Sequence, residues 1–201
     1  ELSFKSNFNL DLSMSAKTKG KDTNITRKYE GSPYIEIMDE VGFNVGFESP
    51  KYKNISFGAG FGFNNYSPYS SWDSVGRNNR SKRFNINYFP NDTLQFSFGV
   101  DDSKEEEWLK WIDTNRLGSF TKNRRNINFG MTFFQGTRHE FRLKNQSVMI
   151  KAEDPIPLIS SQSGELSGSD YMIDPFYVSE NSLQMRSVSY THLTLPTIYS
   201  V

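Results

Sequence analysis

The sequence predicts an all-β fold: an antiparallel up-and-down transmembrane β-barrel, present as an incomplete fragment of about eight strands. Three observations predict it. Apolar residues recur at every second position in segment after segment; the connections between these segments alternate between long and short; and no run approaches the roughly 18 apolar residues that a spanning helix needs. Successive strand side chains point to opposite faces, so a period of two gives each segment one apolar and one polar face.

Composition agrees with these patterns. The chain is 35% hydrophobic and 15% aromatic, with Phe well ahead of Tyr and Trp, and its mean hydropathy is −0.64. That is too polar for a helical membrane protein, but a barrel turns only alternate residues of each strand to lipid. A net charge of zero gives no electrostatic footprint for nucleic acid. The absence of cysteine excludes disulfides, thiolate metal sites and cysteine nucleophiles. The chain starts at Glu1 without a signal peptide, which points either to a cytoplasmic protein or to an internal fragment whose export signal lies upstream.

The first expected strand covers residues 2–14, with Leu2, Phe4, Phe8, Leu10, Leu12 and Met14 on one face and Lys5 and Asp11 on the other. Roughly 9 to 11 tilted residues cross a bilayer core, so this one is long enough. Residues 15–33 read as a long polar loop. Val41, Phe43, Val45 and Phe47 make the second strand, with 34–38 extending it. After a compact turn at 49–53, Ile55, Phe57, Ala59, Phe61 and Phe63 make the third, against Gly58, Gly60 and Gly62. A long connection (65–82) leads to a fourth strand with Phe84, Ile86 and Tyr88 opposite Arg83, and a tight turn at 90–93 leads to a fifth with Leu94, Phe96, Phe98 and Val100 opposite Asp101. Residues 102–122 read as the third long connection, whose ends extend the flanking strands. Ile127, Phe129, Met131 and Phe133 form strand six, with Arg124 just before it. A turn at 135–137 precedes strand seven, where Phe141 and Leu143 oppose Glu140, Arg142 and Lys144. Residues 152–180, rich in Pro, Ser and Gly, make a fourth long loop before Leu183 and Met185 begin strand eight.

This long-short order matches outer-membrane barrels, which have short periplasmic turns and long extracellular loops. The turns near Ser49, Asn91 and Gln135 are then periplasmic, with Tyr88, Phe89, Phe133 and Phe134 as an interfacial girdle. The predicted lipid face carries Phe4, Phe8, Leu10, Phe57, Phe61, Phe96, Phe98, Phe129, Met131 and Phe141. The predicted lumenal face carries Lys5, Asp11, Arg83, Asp101, Arg124, Glu140, Arg142 and Lys144. Its mixed signs favour a salt-bridged interior over a selective pore, which keeps one sign along its path. Alternate glycines at 58, 60 and 62 predict a smooth strip where another chain or plug approaches.

The wording of strands seven and eight, Glu140-Phe141-Arg142-Leu143-Lys144 and Ser182-Leu183-Gln184-Met185-Arg186, separated by the long Ser/Gly loop, resembles the barrel region of a bacterial family of unknown function. Members of that family have a signal peptide, a carbohydrate-binding family 9-like module and a C-terminal outer-membrane β-barrel. The resemblance extends through residues 50–61 and 83–89 over most of 1–186. It implies an outer-membrane location, lipid as a partner, and carbohydrate as a partner through an upstream module. Residues 187–201, by contrast, resemble a translated transposase-type sequencing adapter from Val188 to Thr197. The expected division is therefore 1–186 as partial barrel and 187–201 as a foreign tail.

Candidate chemistry is sparse. Without the tail, His139 is the only histidine. It has no second histidine to share a metal and no evident Ser/Asp partners, so no catalytic residue, metal site or cofactor is assigned. Gly58-Ala59-Gly60-Phe61-Gly62 lacks the spacing and the helix of a phosphate loop. Asp101, Asp102 and the run Glu105-Glu106-Glu107 are candidates for collecting calcium or for bridging lipopolysaccharide through divalent ions, against the commoner reading of a solvated surface charge run. The leading expectation is a membrane-anchoring or channel barrel of a larger two-part surface protein. A soluble β-sandwich that binds sugar through Tyr66, Trp72, Trp108 and Trp111 is the alternative, and an outer-membrane hydrolase using His139 is a third.

Overall fold

The computed structural model describes residues 2–3, 8–22, 35–67, 77–136, 139–161 and 165–189. Twelve strands follow in order: β1 (Leu2–Ser3), β2 (Asn9–Lys17), β3 (Gly20–Asp22), β4 (Ile35–Ile37), β5 (Glu40–Glu48), β6 (Ile55–Tyr66), β7 (Arg77–Asn91), β8 (Leu94–Asp113), β9 (Arg116–Gln135), β10 (His139–Ser160), β11 (Leu166–Gly168) and β12 (Phe176–Ser189). Ten of them form one antiparallel sheet in the order β1-β2-β5-β6-β7-β8-β9-β10, with β11 and β12 both pairing with β10, while β3 and β4 form a separate pair. The order is a meander, as the alternating strands predict. The sheet is open: among the described residues the edges at β2 and β12 do not pair with each other.

The short turns fall where expected, and each has a local cause. Lys53 takes a left-handed backbone (φ 53°) between β5 and β6, where the Ser49 hydroxyl accepts the Phe57 N–H at 2.9 Å. Between β7 and β8 the Asn91 carboxamide oxygen accepts both the N–H and the hydroxyl of Thr93, a side chain standing in for a backbone turn. After β9, Gly136 adopts φ 63°, the region that glycine enters without a Cβ penalty.

Three expected boundaries are corrected. Residues 2–14 are not one strand: Leu2 and Ser3 pair back antiparallel onto Leu10 and Asn9, and the continuous member is β2. The outward extension of the second strand is interrupted rather than continuous: β4 pairs with β3 in the same register in which β5 pairs with β2, after a break at Met38 and Asp39. The third long connection is not a loop, because β8 and β9 run on as a continuous hairpin to the two-residue turn Thr114-Asn115. Pairs such as Glu105 with Lys122 and Trp108 with Phe120 hold this extension, cross-strand contacts that stabilise a ladder whatever its charge content.

The fourth loop is likewise shorter than composition suggests. Strand β10 passes Pro155 through a bulge, with Asp154 at φ 49° and the register shifting between Glu153 and Ile156. A bulge is one of the few places where a sheet tolerates proline. Strand β12 starts at Phe176 and pairs with β10 as far as Ser189, three residues past Arg186; residues 190–201 lie outside the described residues.

The buried apolar core is small and off-centre. Leu117, Leu158 and Leu166 are almost wholly buried, and Met38, Leu109 and Ile156 pack against them. All of these belong to the far ends of β8–β11 and to the segment leading into β5. Tyr171 fastens the segment after β11 there: its hydroxyl accepts the Leu158 N–H at 3.3 Å and donates to the Leu117 carbonyl. Burial raises the Tyr171 pKa. At the tip, an ion pair and hydrogen bond from Arg116 lower the Asp113 pKa.

Candidate functional site

Residues paired directly across neighbouring strands share a face, so the registers sort the candidate residues. One row reads Asp11, Gly46, Gly60, Arg83, Asp101, Asn126, Val148 and Glu180. By period two, Arg124, Glu140, Arg142 and Lys144 lie on the same face. The neighbouring rows belong to the other face: Leu10, Phe47, Ala59, Phe84, Val100 and Ile127 in one, and Phe57, Ile86, Phe98 and Phe129 in the next. Phe61, Phe96, Met131 and Phe141 share that face, and the Phe8 ring stacks on Phe47 at 5.4 Å. Lys5 and Phe4, placed by sequence on opposite faces, lie outside the described residues.

The polar face encloses a trough of about 560 Å³ whose lining includes Asp11, Asn44, Gly60, Arg83, Asp101 and Asn126. These residues come from β2, β5, β6, β7, β8 and β9. A single cavity lined from six adjacent strands requires the sheet to curl around it, so the polar face is concave. Four of the predicted lumenal charges, Asp11, Arg83, Asp101 and Arg124, meet there. Glu140, Arg142 and Lys144 stand apart near the opposite end, where Glu140 is buried and paired with Arg142.

The expected salt-bridged interior is not what the trough contains. Asp101 accepts a hydrogen bond from the Asn126 amide at 3.4 Å, but Arg83 and Arg124 form no ion pair among the described residues, which leaves two cations and two carboxylates facing the cavity unneutralised by direct contact. Pairing occurs farther along the same face, where Lys17 meets Glu40 at 2.8 Å and the Tyr66 hydroxyl donates to Glu40 at 3.2 Å.

The glycine strip is not smooth throughout. A Cβ at Gly58 would come within 2.6 Å of the Asn85 amide oxygen, and one at Gly62 within 2.5 Å of both Asn44 and Ser81. Glycine here makes room for a neighbouring strand's amide to lie across the sheet. Only the Gly46–Gly60 pair is left uncovered in this way, between Asp11 and Arg83, and it forms the trough floor.

The acidic run expected to collect calcium is divided. Asp102 lies on the face opposite Asp101 and is held by Arg125; Glu105 is held by Lys122 at 2.5 Å and Glu106 by Lys104 at 3.1 Å. Among the described residues no group of three or more potential ligands is placed to hold a metal ion. The tryptophans are occupied too. Trp108 packs on Phe120 and Phe176 under Lys110 and Lys122, and the Trp111 indole donates to the Thr114 carbonyl at 3.1 Å. Trp72 lies outside the described residues.

One cluster was not singled out in the sequence. Above the phenylalanine rows, the apolar face of β7–β10 turns basic at Arg80, Lys82, Lys104, Arg125 and Lys151. The signal was present: Arg80 and Lys82 continue the phase of Phe84 and Ile86, which places them on the apolar face rather than in a loop. Comparison of the chain with protein-family models, with curated proteins and with solved structures finds no match.

Proposed function

We propose that this chain is the outer-membrane β-barrel region, a membrane anchor or channel, of a larger two-part surface protein. One observation carries the reading: the described residues form a single main sheet whose apolar face nothing covers. Phe98 and Phe129 are each 40% exposed, whereas the buried leucines lie only at the strand extensions. A chain soluble in water does not leave phenylalanines in a continuous sheet surface facing solvent. A barrel does so because lipid covers them. The open edges at β2 and β12 support further strands in the full-length protein, since lipid tolerates no unpaired edge. The carbohydrate-binding module upstream is the part of the proposal that the family resemblance contributes.

A soluble β-sandwich would bury the same phenylalanines under a second sheet, and no such sheet is found among the described residues. The hydrolase reading lacks a partner for its base: among the described residues, no hydrogen bond links His139 to a serine or a carboxylate.

Fractionation of the full-length protein tests the proposal. The barrel should partition with outer membranes, require detergent, and migrate differently on gels before and after boiling. Release into the soluble fraction without detergent would overturn it. Conductance in planar bilayers then separates a channel from an anchor.

A further inference from the structure

The apolar face ends differently at its two sides. Toward the short turns it closes with aromatic residues, among them Tyr88, Phe96, Phe133 and Phe141. Toward the strand extensions, the row above Phe84, Val100 and Ile127 reads Lys82, Asp102, Arg125 and Met149, and the next reads Arg80, Lys104, Asn123 and Lys151. A cavity of about 490 Å³ lies among these side chains. Asp102 is held by Arg125 at 2.7 Å, Glu106 by Lys104 at 3.1 Å and Glu153 by Lys151 at 2.5 Å. Five cations against three carboxylates leave two positive charges, and Arg80 and Lys82 form no ion pair among the described residues.

We propose that this patch binds the phosphate groups of an anionic glycolipid in the outer leaflet, with Arg80 and Lys82 as its main phosphate ligands. The proposal rests on the barrel reading and takes its orientation from it. An arginine fork and a lysine ammonium are the side chains that best satisfy phosphate oxygens. What points to a lipid rather than a free anion is continuity: Phe84, Val100 and Ile127 lie on the same face directly below the cations, with Phe98 and Phe129 in the row beneath. One molecule can set its phosphates on the upper rows and its acyl chains on the lower ones. Arg83 lies on the concave face and does not line this cavity, so it does not share this ligand.

The test uses the full-length barrel in phosphatidylcholine vesicles, with the midpoint temperature of its heat-dependent gel shift as the readout. A bis-phosphorylated glycolipid should raise the midpoint, and its dephosphorylated form should not. In the variant R80Q/K82Q the glycolipid fraction needed for half the effect should rise on the order of tenfold. R80K/K82R should retain the effect, and K51Q/K53Q, altered at the opposite end, should behave as wild type. An equal shift from the dephosphorylated lipid, an unchanged response in R80Q/K82Q, or the same shift from inorganic phosphate alone would overturn the lipid assignment. Failure of the barrel reading shows separately, as a protein that never enters the vesicles before any glycolipid is added.

Discussion

Asp101 and Asp102 are neighbours in the chain and lie on opposite faces of the sheet: Asp101 stands in the trough beside Asn126, while Asp102 holds Arg125 at 2.7 Å in the cationic patch. Their substitutions should therefore differ in kind. Asp102→Asn breaks an exposed ion pair, which water and salt screen, and should cost little stability. Asp101→Asn removes the carboxylate directly across from Arg83; under the channel form of the proposal it should move the reversal potential in planar bilayers toward anions, with Asp102→Asn leaving it unchanged. Equal shifts would place both residues on one face.

Phe129 and Asn128 give the same contrast at the level of lipid. Phe129→Arg puts a charge in the middle of the apolar rows and should cost about 2 to 4 kcal/mol near a bilayer midplane, while Asn128→Arg should cost much less. A cysteine at 129 in the reconstituted full-length barrel should react with a lipid-phase reagent and resist a water-soluble one, with the opposite preference at 128. Equal aqueous labelling at both would argue against the membrane-facing assignment.

The glycines divide by what lies over them. Gly58→Ala drives a Cβ to 2.6 Å from the Asn85 amide, whereas at Gly60 the nearest atom is the Val45 carbonyl at 3.5 Å. Gly58→Ala should destabilise, and Asn85→Ala in the same chain should restore part of the loss. Gly60→Ala should be neutral or stabilising by up to about 1 kcal/mol, because alanine gives up less backbone freedom on folding. Denaturant titrations in micelles read all three; equal losses at 58 and 60 would mean that the amide is not the cause.

Tyr171 should give the strand extensions a dependence on alkaline pH. Its folded pKa is raised by burial, so its contribution is complete below the unfolded value of about 10 and is lost as pH rises through the folded one. Proteolysis in the segment 161–175 should accelerate above that range. Tyr171→Phe removes the bridge between Leu117 and Leu158 and should show fast cleavage at neutral pH. A cleavage rate in Tyr171→Phe equal to wild type at neutral pH would dismiss the hydroxyl as the fastening.

Much of this was legible because period two is a local property. The phase of Phe96, Phe98 and Val100, or of Ile127, Phe129 and Met131, assigns faces without knowledge of any partner strand. What needs a partner was not legible. Glu105, Glu106 and Glu107 suggest a loop by charge, and the ladder that makes them a strand is supplied by Lys122 and Phe120 some fifteen residues on. A reversal inside an alternating run, as between Ser3 and Asn9, leaves the alternation intact and so is invisible to it. The trough charges could be placed on a face but not paired, since which cation meets which carboxylate depends on register.

Under the barrel reading proposed above, the continuous β8–β9 hairpin bears on what the cell presents to its surroundings. From Val100 in the last apolar row to Thr114, at about 3.3 Å per residue, the strand runs roughly 45 Å, which is about 35 Å of height at a barrel strand's tilt of about 40°. Trp111 bonded to Thr114 and Arg116 paired with Asp113 tie the turn to the strand ends. In the orientation proposed above, an antibody or a phage fibre meets it before it touches lipid. A short foreign peptide inserted between Thr114 and Asn115 would be displayed clear of the surface by a support that the chain already builds.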